Sequence, residues 1–346
     1  MDKHGLVCLV KELAQELGKT PTRADCESKV KAYRHMLKKH FSDSHSELLD
    51  ACGLDKSRKP ASEKQIRKYK ALCSKVEKIH GFFRHKIDIK ELFERAGNPK
   101  VLKVSVQPDT HAKFADKKAL SAYIKFLTYY KPDVHIILGD FVDCEGLSHW
   151  PQDDLEPRRI VPEMKVARDI LAKITESTPS CSTRIYLTGN HEHWIEQAFT
   201  RMPELFDGLS ELDIEINLKS LLALEKFGYQ IFPLNHIVNI GLANFTHGIY
   251  TGAAHASKHL NVFKANIYYG HLHDGQEFNA TSMDGPLEAA SLGCLCRLDA
   301  KFLKGKPNNW VHSHGVFEFF PDGTYTFTKP KILNGRFSYN GVIFEG

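Results

Sequence analysis

The chain has 346 residues, 42% hydrophobic and 26% charged, with 47 Lys and Arg against 42 Asp and Glu for a formal net charge of +5. That composition belongs to a globular protein with room for one large domain and an appendage, and it excludes collagen-like, coiled-coil and disordered classes. No apolar run reaches the roughly 18 to 20 residues that span a bilayer, and the opening MDKHGLVCLVKELAQELGK carries acids and lysines where a signal peptide needs an unbroken apolar stretch. The expectation is a cytoplasmic protein with no membrane partner.

Charge is unevenly spread. Residues 1–100 hold 23 Lys and Arg against 14 Asp and Glu, a balance of +9, and the rest of the chain is mildly acidic. A basic appendage on an acidic body suggests a polyanionic partner, although charge alone fits a solvated helical face equally well. The first 97 residues read as helical throughout. Leu6, Leu9, Val10, Leu13 and Leu17 follow the i, i+3, i+4, i+7 spacing of an amphipathic helix, which Gly18 stops. Thr22 and Asp25 suggest the cap of a second helix, and Leu48, Leu49 and Leu54 close the unit. Residues 61–97 read as another basic helical stretch, with Arg67, Lys68, Lys70, Lys75 and Lys78, ending at Gly97-Asn98-Pro99.

The string from ELAQELGKTPTRADCES to HFSDSHSELLDACGL resembles the homing-endonuclease-associated repeat over residues 6–54, with Phe41-Ser42-Asp43-Ser44 where that repeat usually shows FGSW. The resemblance implies a small basic all-α, helix-turn-helix-like DNA-binding domain over 1–97, with Arg23, Lys29, Lys31, Arg34, Lys38, Lys39, Arg67 and Lys68 as candidate DNA contacts.

From residue 101 the period changes. VLKVSV, VHIIL and RIYLT are β-rich runs separated by helical segments at 116–130 and 162–176, and 229–247 and 266–270 add more strands. Beyond 280, Pro321-Asp322-Gly323, Asn334-Gly335 and Asn340-Gly341 mark hairpin turns. Two sheets packed face to face, with helices outside, fit this α/β pattern.

Each strand of this body runs into metal-type ligands: Asp109-Thr110-His111, Asp140-Phe141-Val142-Asp143, Asn190-His191-Glu192, His247-Gly248 and His271-Leu272-His273. Mixed carboxylate, imidazole and amide donors suit Mn, Fe, Zn or Ni better than calcium or a thiolate-zinc site. Gly139, Gly189 and Gly270 each precede a ligand, where a strand must turn sharply or let a phosphate close. The eight cysteines include no CxxC pair and read as reduced thiols, with Cys294 and Cys296 alternating on a strand as core residues.

The ordered set DxH, GDxxD, GNHE, H and GHxH resembles the calcineurin-like metallophosphoesterase superfamily, over about residues 101–346. The resemblance implies a four-layer αββα sandwich over 98–346 that binds two divalent ions, Mn first among them. By motif, Asp109, His111, Asp140 and His273 would hold one ion. Asp140, Asn190, His247 and His271 would hold the other, with Asp140 bridging. His191 would protonate the leaving oxygen and Asp143 would orient it. His247 competes for its place with His236, His255 and His259, and is preferred because a strand precedes it.

The superfamily's Ser/Thr protein phosphatases carry arginines where this chain has Cys144 and Thr188, which disfavours that branch, while GHxH is of the kind seen in its nucleases and phosphodiesterases. The leading expectation is a DNA phosphodiesterase delivered by the basic domain. The alternatives are a phosphatase or phosphodiesterase for nucleotides or other small phosphate esters, and a non-catalytic DNA-binding protein. His149, Trp150, His193, Trp194 and the Lys301, Lys304, Lys306 group near Trp310 are loop residues that fit substrate contact or ordinary packing.

Overall fold

The computed structural model describes residues 3–17, 21, 23–30, 33–42, 44–52, 73–79, 82–147, 160–201, 217–300, 303 and 305–346. Among the expected functional positions, Lys31, Arg67, Lys68, His149, Trp150, Lys301 and Lys304 lie outside these residues. The chain divides into two units. Described residues up to Cys52 belong to the smaller and those from Cys73 onward to the larger. Among the described residues no helix is long and apolar enough to cross a membrane.

In the smaller unit every described element is a helix: α1 (Lys3–Leu17), α2 (Arg23–Lys29), α3 (Tyr33–Phe41) and α4 (His45–Cys52). Helical spacing gathers Leu6, Val10 and Leu13 onto one face, which packs with Cys26, Val30, Tyr33, Leu37, Phe41 and Leu48. His45 ties the unit together, its ring reaching Tyr33 Oη at 2.5 Å and the Pro21 carbonyl at 3.1 Å.

The expectation of helix throughout 61–97 is corrected at 73–87. Strands β1 (Cys73–Ile79) and β2 (Phe82–Ile87) form an antiparallel hairpin, and β2 pairs in parallel with β7 (Ile237–Ile240) of the larger unit. Glu77 faces Arg84 across the hairpin and also meets Lys86 at 3.1 Å. Charged residues on an edge strand are solvated on one face, so their spacing mimics a polar helix while tertiary pairing selects the strand. Among the described residues after this hairpin the next helix is α5 (Ile89–Arg95), capped by Asp88, whose side chain accepts from Lys90 N at 2.9 Å.

The larger unit is mixed α/β. Its remaining elements are β3 (Leu102–Gln107), α6 (Lys117–Tyr130), β4 (Val134–Ile137), α7 (Val161–Ser177), β5 (Thr183–Leu187), α8 (Asn190–Arg201), the single turn α9 (Leu218–Leu221), β6 (Tyr229–Phe232), β8 (Ala243–Thr246), α10 (His255–Phe263), β9 (Asn266–Tyr269), β10 (Glu277–Ser282), β11 (Gly285–Ser291), β12 (Gly315–Phe319), β13 (Tyr325–Thr328), β14 (Arg336–Tyr339) and β15 (Val342–Glu345). One sheet has the order β13-β12-β3-β4-β5-β6, a second has β1-β2-β7-β8-β9-β11-β10, and β14 pairs with β15 in a two-stranded third. β3 to β6 run parallel, as do β8 and β9.

Three cores hold these elements together. Val104, Ile136, Ile185 and Leu187 of the six-stranded sheet pack with Val238, Phe245, Tyr268 and Ala290 of the seven-stranded sheet. Tyr123 and Phe126 of α6 and Ile170 and Leu171 of α7 pack with Ile137 and Tyr186, and Ala256 and Leu260 of α10 pack with Ile267 and Ala289. The period of two explains the division: Val104 and Val106 join the core shared by both sheets, whereas Ser105 between them reaches Tyr123 Oη at 2.9 Å. Both Asn-Gly pairs near the C-terminus hold positive φ at each residue, the backbone of a tight hairpin turn.

Candidate metal centre

Parallel neighbours end at the same edge of a sheet, so β3, β4 and β5 deliver Asp109, Asp140 and Asn190 together, while β8 and β9 deliver His247 and His271 from the other sheet. Backbone bonds lock the loops: Thr110 N and His111 N donate to the Asp140 carbonyl at 3.0 and 2.9 Å, and Gly270 N to the His247 carbonyl at 2.8 Å. Four of the seven expected metal-binding residues have left-handed backbone, with φ of 47° at His111, 43° at Asp140, 69° at His271 and 61° at His273. Such strain in non-glycine residues persists where surrounding structure over-determines it, and it clusters at functional sites.

All seven expected metal-binding side chains come together. His273 Nε2 lies 2.9 Å from Asp109 Oδ2 and 3.2 Å from His111 Nε2. His247 Nε2 lies 3.3 Å from Asp140 Oδ2 and 3.0 Å from Asn190 Oδ1, and its Nδ1 donates to the Leu138 carbonyl at 2.9 Å, which fixes the ring. The His247 and His271 rings are 4.9 Å apart. Among the described residues, three groups of donors can each hold a metal ion: His111, His273 and Cys296; His111, Asp140 and His191; and Asp140, His247 and His271. Asp140 is common to two of them.

The competing histidines are engaged elsewhere. His236 Nδ1 meets His85 Nε2 at 2.7 Å, His255 bridges Tyr269 Oη and Asp274, and His259 accepts from Ile249 N at 3.1 Å. His135, buried between Tyr123 and Tyr229, is a satisfied core residue whose pKa burial pushes down to about 3.

Electrostatics fit a divalent cation. Asp109 and Asp140 are both fully buried, which by itself raises a carboxyl pKa, yet both are held below the usual range, Asp109 chiefly by His273 and Asp140 by His247 and His191. The counterpart is His247, which burial pulls down but Asp140 lifts to about 10. His271 goes the other way, to about 4, through burial and the charge of His247. With protons as the only positive charges, the carboxylates are balanced by imidazolium. Even so, the buried Asp109 Oδ1 and His271 Nδ1 lack a hydrogen-bond partner. Divalent ions held here would supply that positive charge, with Asp109 and His271 among the residues that would hold them.

His191 and Asp143 lie beside this cluster, with the Asp143 carboxylate 3.6 Å from His191 Nδ1. The Asp143 carboxylate accepts from His111 Nδ1 at 2.8 Å, whereas the Asp143 backbone carbonyl receives His191 Nδ1 at 2.5 Å. One residue therefore orients both imidazoles, His111 through its side chain and His191 through its main chain. His191 Nε2 lies 3.8 Å from Asp140 Oδ2, and the ring packs against His111 and Trp194 at 4.7 and 4.3 Å between centroids. Burial lowers the pKa of His191, but Asp140 and Asp143 outweigh it and leave a net rise.

Three residues take roles here that the sequence does not assign them. Glu192, in the first turn of α8, accepts from Gly189 N, Asp140 N, Phe141 N, Val142 N and Tyr186 Oη at 2.7–3.3 Å. Glu163 of α7 likewise caps Asp143 N and Cys144 N. Cys296 and Cys294 are both buried, as expected of core residues, and Cys296 also places Sγ 3.7 Å from His273 Nδ1. Gly139 takes the left-handed backbone of a sharp turn, with φ of 95°, whereas a Cβ at Gly189 or Gly270 would overlap the carboxylates of Asp140 or Asp109, so glycine there admits a neighbouring ligand.

Glu192→Ala would strand five buried donors. At about 1–3 kcal/mol for each unsatisfied group, partly offset by relaxation, the expected loss of stability is about 4 kcal/mol. Urea denaturation with an unchanged m-value measures it. A loss below about 1 kcal/mol would show that the Asp140 loop is held by other means.

The candidate DNA contacts belong to the smaller unit. Arg23, Lys29, Arg34, Lys38 and Lys39 are exposed, with Arg23 and Arg34 paired to Glu27 at 3.1 and 2.9 Å.

No family model matches the chain. Over 260 residues it is 25% identical to the Gene 54 protein of Mycobacterium phage D29 and 24% identical to the Gene 54 protein of Mycobacterium phage L5, covering 70% of this chain and 98% of each relative. Among solved structures, Vacuolar Protein Sorting 29 from Cryptosporidium parvum matches at TM-score 0.39 and 12% identity, over 72% of this chain and 99% of that one. Chaetomium thermophilum Vps29 matches at TM-score 0.33 and 11% identity, over 66% and 96%. TT1561 of Thermus thermophilus matches at TM-score 0.26 and 9% identity, over 66% and 98%.

Proposed function

We propose that the chain is a dinuclear metal-dependent phosphoesterase of the calcineurin-like type, built on a four-layer αββα sandwich, that hydrolyses phosphodiester bonds in DNA. The observation that carries the reading is the position of Asp140, a buried carboxylate common to two donor groups, with the imidazole of His191 beside it. Asp109, His111, Asp140 and His273 would hold one divalent ion and Asp140, Asn190, His247 and His271 the other, Mn being the first choice and Fe, Zn or Ni able to replace it. Two such ions lower the pKa of a water and offset the charge that develops on the phosphate oxygens.

The protein's own groups complete the chemistry. His191 donates Nδ1–H to the Asp143 carbonyl, so its transferable proton sits on Nε2, and the anionic surroundings that raise its pKa keep that proton in place. This suits protonation of a departing alkoxide. The Asp143 carboxylate and the Leu138 carbonyl fix His111 and His247, the orienting bonds that ligating imidazoles need. Cys144 and Thr188 are both buried and neither supplies the cationic grip a phosphomonoester dianion requires, which favours a diester.

DNA is favoured by residues 1–100, which carry 23 Lys and Arg against 14 Asp and Glu, and by the resemblance of residues 6–54 to a nuclease-associated helix-turn-helix repeat; we read residues 1–97 as the DNA-binding domain. A small phosphate ester is the second reading, favoured by the pairing of Arg23 and Arg34 with Glu27. The test is Mn²⁺-dependent cleavage of end-labelled single- and double-stranded DNA by the full chain and by Lys38→Glu/Lys39→Glu. Cleavage that weakens in the variant and falls steeply with salt supports the DNA reading, because phosphate contacts release counterions. Hydrolysis of a generic aryl diester without DNA cleavage moves the assignment to the second reading.

A further inference from the structure

Trp310 packs against the metal-centre residue His273 and is also one of the residues lining a cleft. Its ring centroid is 4.2 Å from that of His273, at an interplanar angle of 69°. The backbone around it is anchored, with Trp310 N donating to Asn308 Oδ1 at 2.9 Å and Val311 N to the His273 carbonyl at 2.8 Å. The indole is thus held in fixed relation to an expected metal ligand. It also lines a cleft of ≈660 Å³, together with Lys118, Arg297, Leu298, Lys331 and Leu333.

That volume is in the range of pockets that enclose a nucleotide-sized group. Two carboxylates in the lining are already engaged: Asp116 caps α6 by accepting from Ala119 N at 2.8 Å, and Asp299 grips Arg297 through contacts of 2.9 and 2.8 Å. The Asp299 pair holds the Arg297 guanidinium in place, and Lys118 and Lys331 add positive charge. An aromatic face among cations is the composition of a platform for an unpaired base and its phosphate. An apolar ligand would gain nothing from the cations, and a lone anion nothing from the indole.

We propose that this cleft is a subsite for the nucleotide adjoining the scissile phosphate, its base packed on Trp310 and its outer phosphate met by Arg297 and Lys331. The proposal rests on the phosphodiesterase reading above and deepens it. A base can pack there only after leaving the duplex, so the subsite selects single-stranded DNA.

Two measurements on the full chain test it. The first is anisotropy of a labelled trithymidylate in EDTA. Trp310→Ala should weaken binding by about tenfold, and Trp310→Phe, which keeps an aromatic face, should remain within about threefold of wild type. The second is the ratio of kcat/KM for the oligothymidylate to that for methyl 4-nitrophenyl phosphate, which has no base, with Mn²⁺ present. Trp310→Ala should lower that ratio by about tenfold. Unchanged binding together with an unchanged ratio overturns the subsite. Equal losses on both substrates overturn it too, showing that Trp310 acts through His273. If the wild type hydrolyses neither substrate, the phosphodiesterase reading falls while the binding measurement still decides the subsite.

Discussion

His191→Gln should lower turnover on DNA by roughly 10²- to 10⁴-fold, the usual contribution of a positioned general acid, while leaving metal content unchanged. Glutamine has an amide that can still donate to the Asp143 carbonyl, the bond that now receives His191 Nδ1 at 2.5 Å, so the loop retains its anchor. What disappears is the proton on Nε2. The leaving group sharpens the test. An alkoxide departing from DNA needs that proton, whereas a nitrophenolate leaves readily without it. The variant should therefore lose far more activity on DNA than on a nitrophenyl diester. Equal losses on the two substrates would remove His191 from the role of acid, and metal loss would make it a ligand.

Asp140→Ala should abolish stable metal binding. This carboxylate is shared by the groups that contain His111 and His191 on one side and His247 and His271 on the other, so its removal weakens both. It also removes the charge that lifts His247 to about 10 and the acceptor of His191 N at 3.0 Å. Metal analysis should fall from two ions per chain to fewer than one. A thermal shift provides a second readout, because an ion that binds only the folded state stabilises it by about 2.7 kcal/mol at a hundredfold excess over Kd. At about 2–4 °C per kcal/mol for a domain of 150–250 residues, wild type should gain roughly 5 °C or more on adding Mn²⁺. Asp140→Ala should gain almost nothing. Two ions retained by the variant would show that the assignment of ligands is wrong.

Much of this arrangement is legible in the sequence, for a reason that can be stated. Short β-rich runs ending in Asp, Asn or His, separated by segments with helical period, place one donor loop after another at strand ends. In a parallel sheet those ends share one edge. The expected segment 116–130 corresponds to α6 at Lys117–Tyr130, and 162–176 to α7 at Val161–Ser177, because amphipathic period is a local property. The same locality explains the failure at 73–87. There the alternating charges of an edge hairpin carry no mark of the partner strand, which lies some 150 residues away at Ile237–Ile240.

Chain order and residue chemistry by themselves determine that acids, amides and imidazoles suited to a divalent ion follow successive strands, and that glycine precedes three of them. Only the tertiary structure decides how each is used. Pairing across the chain aims the Asp143 carboxylate at His111 and its carbonyl at His191, brings Cys296 to His273, and sets Glu192 and Glu163 to gather the amides of the Asp140 loop. It also imposes left-handed backbone on His111, Asp140, His271 and His273. Periodicity reports which face of an element is apolar, but a hydrogen bond between residues 20 to 160 apart depends on strand register and helix placement, and these are fixed by packing of the whole core.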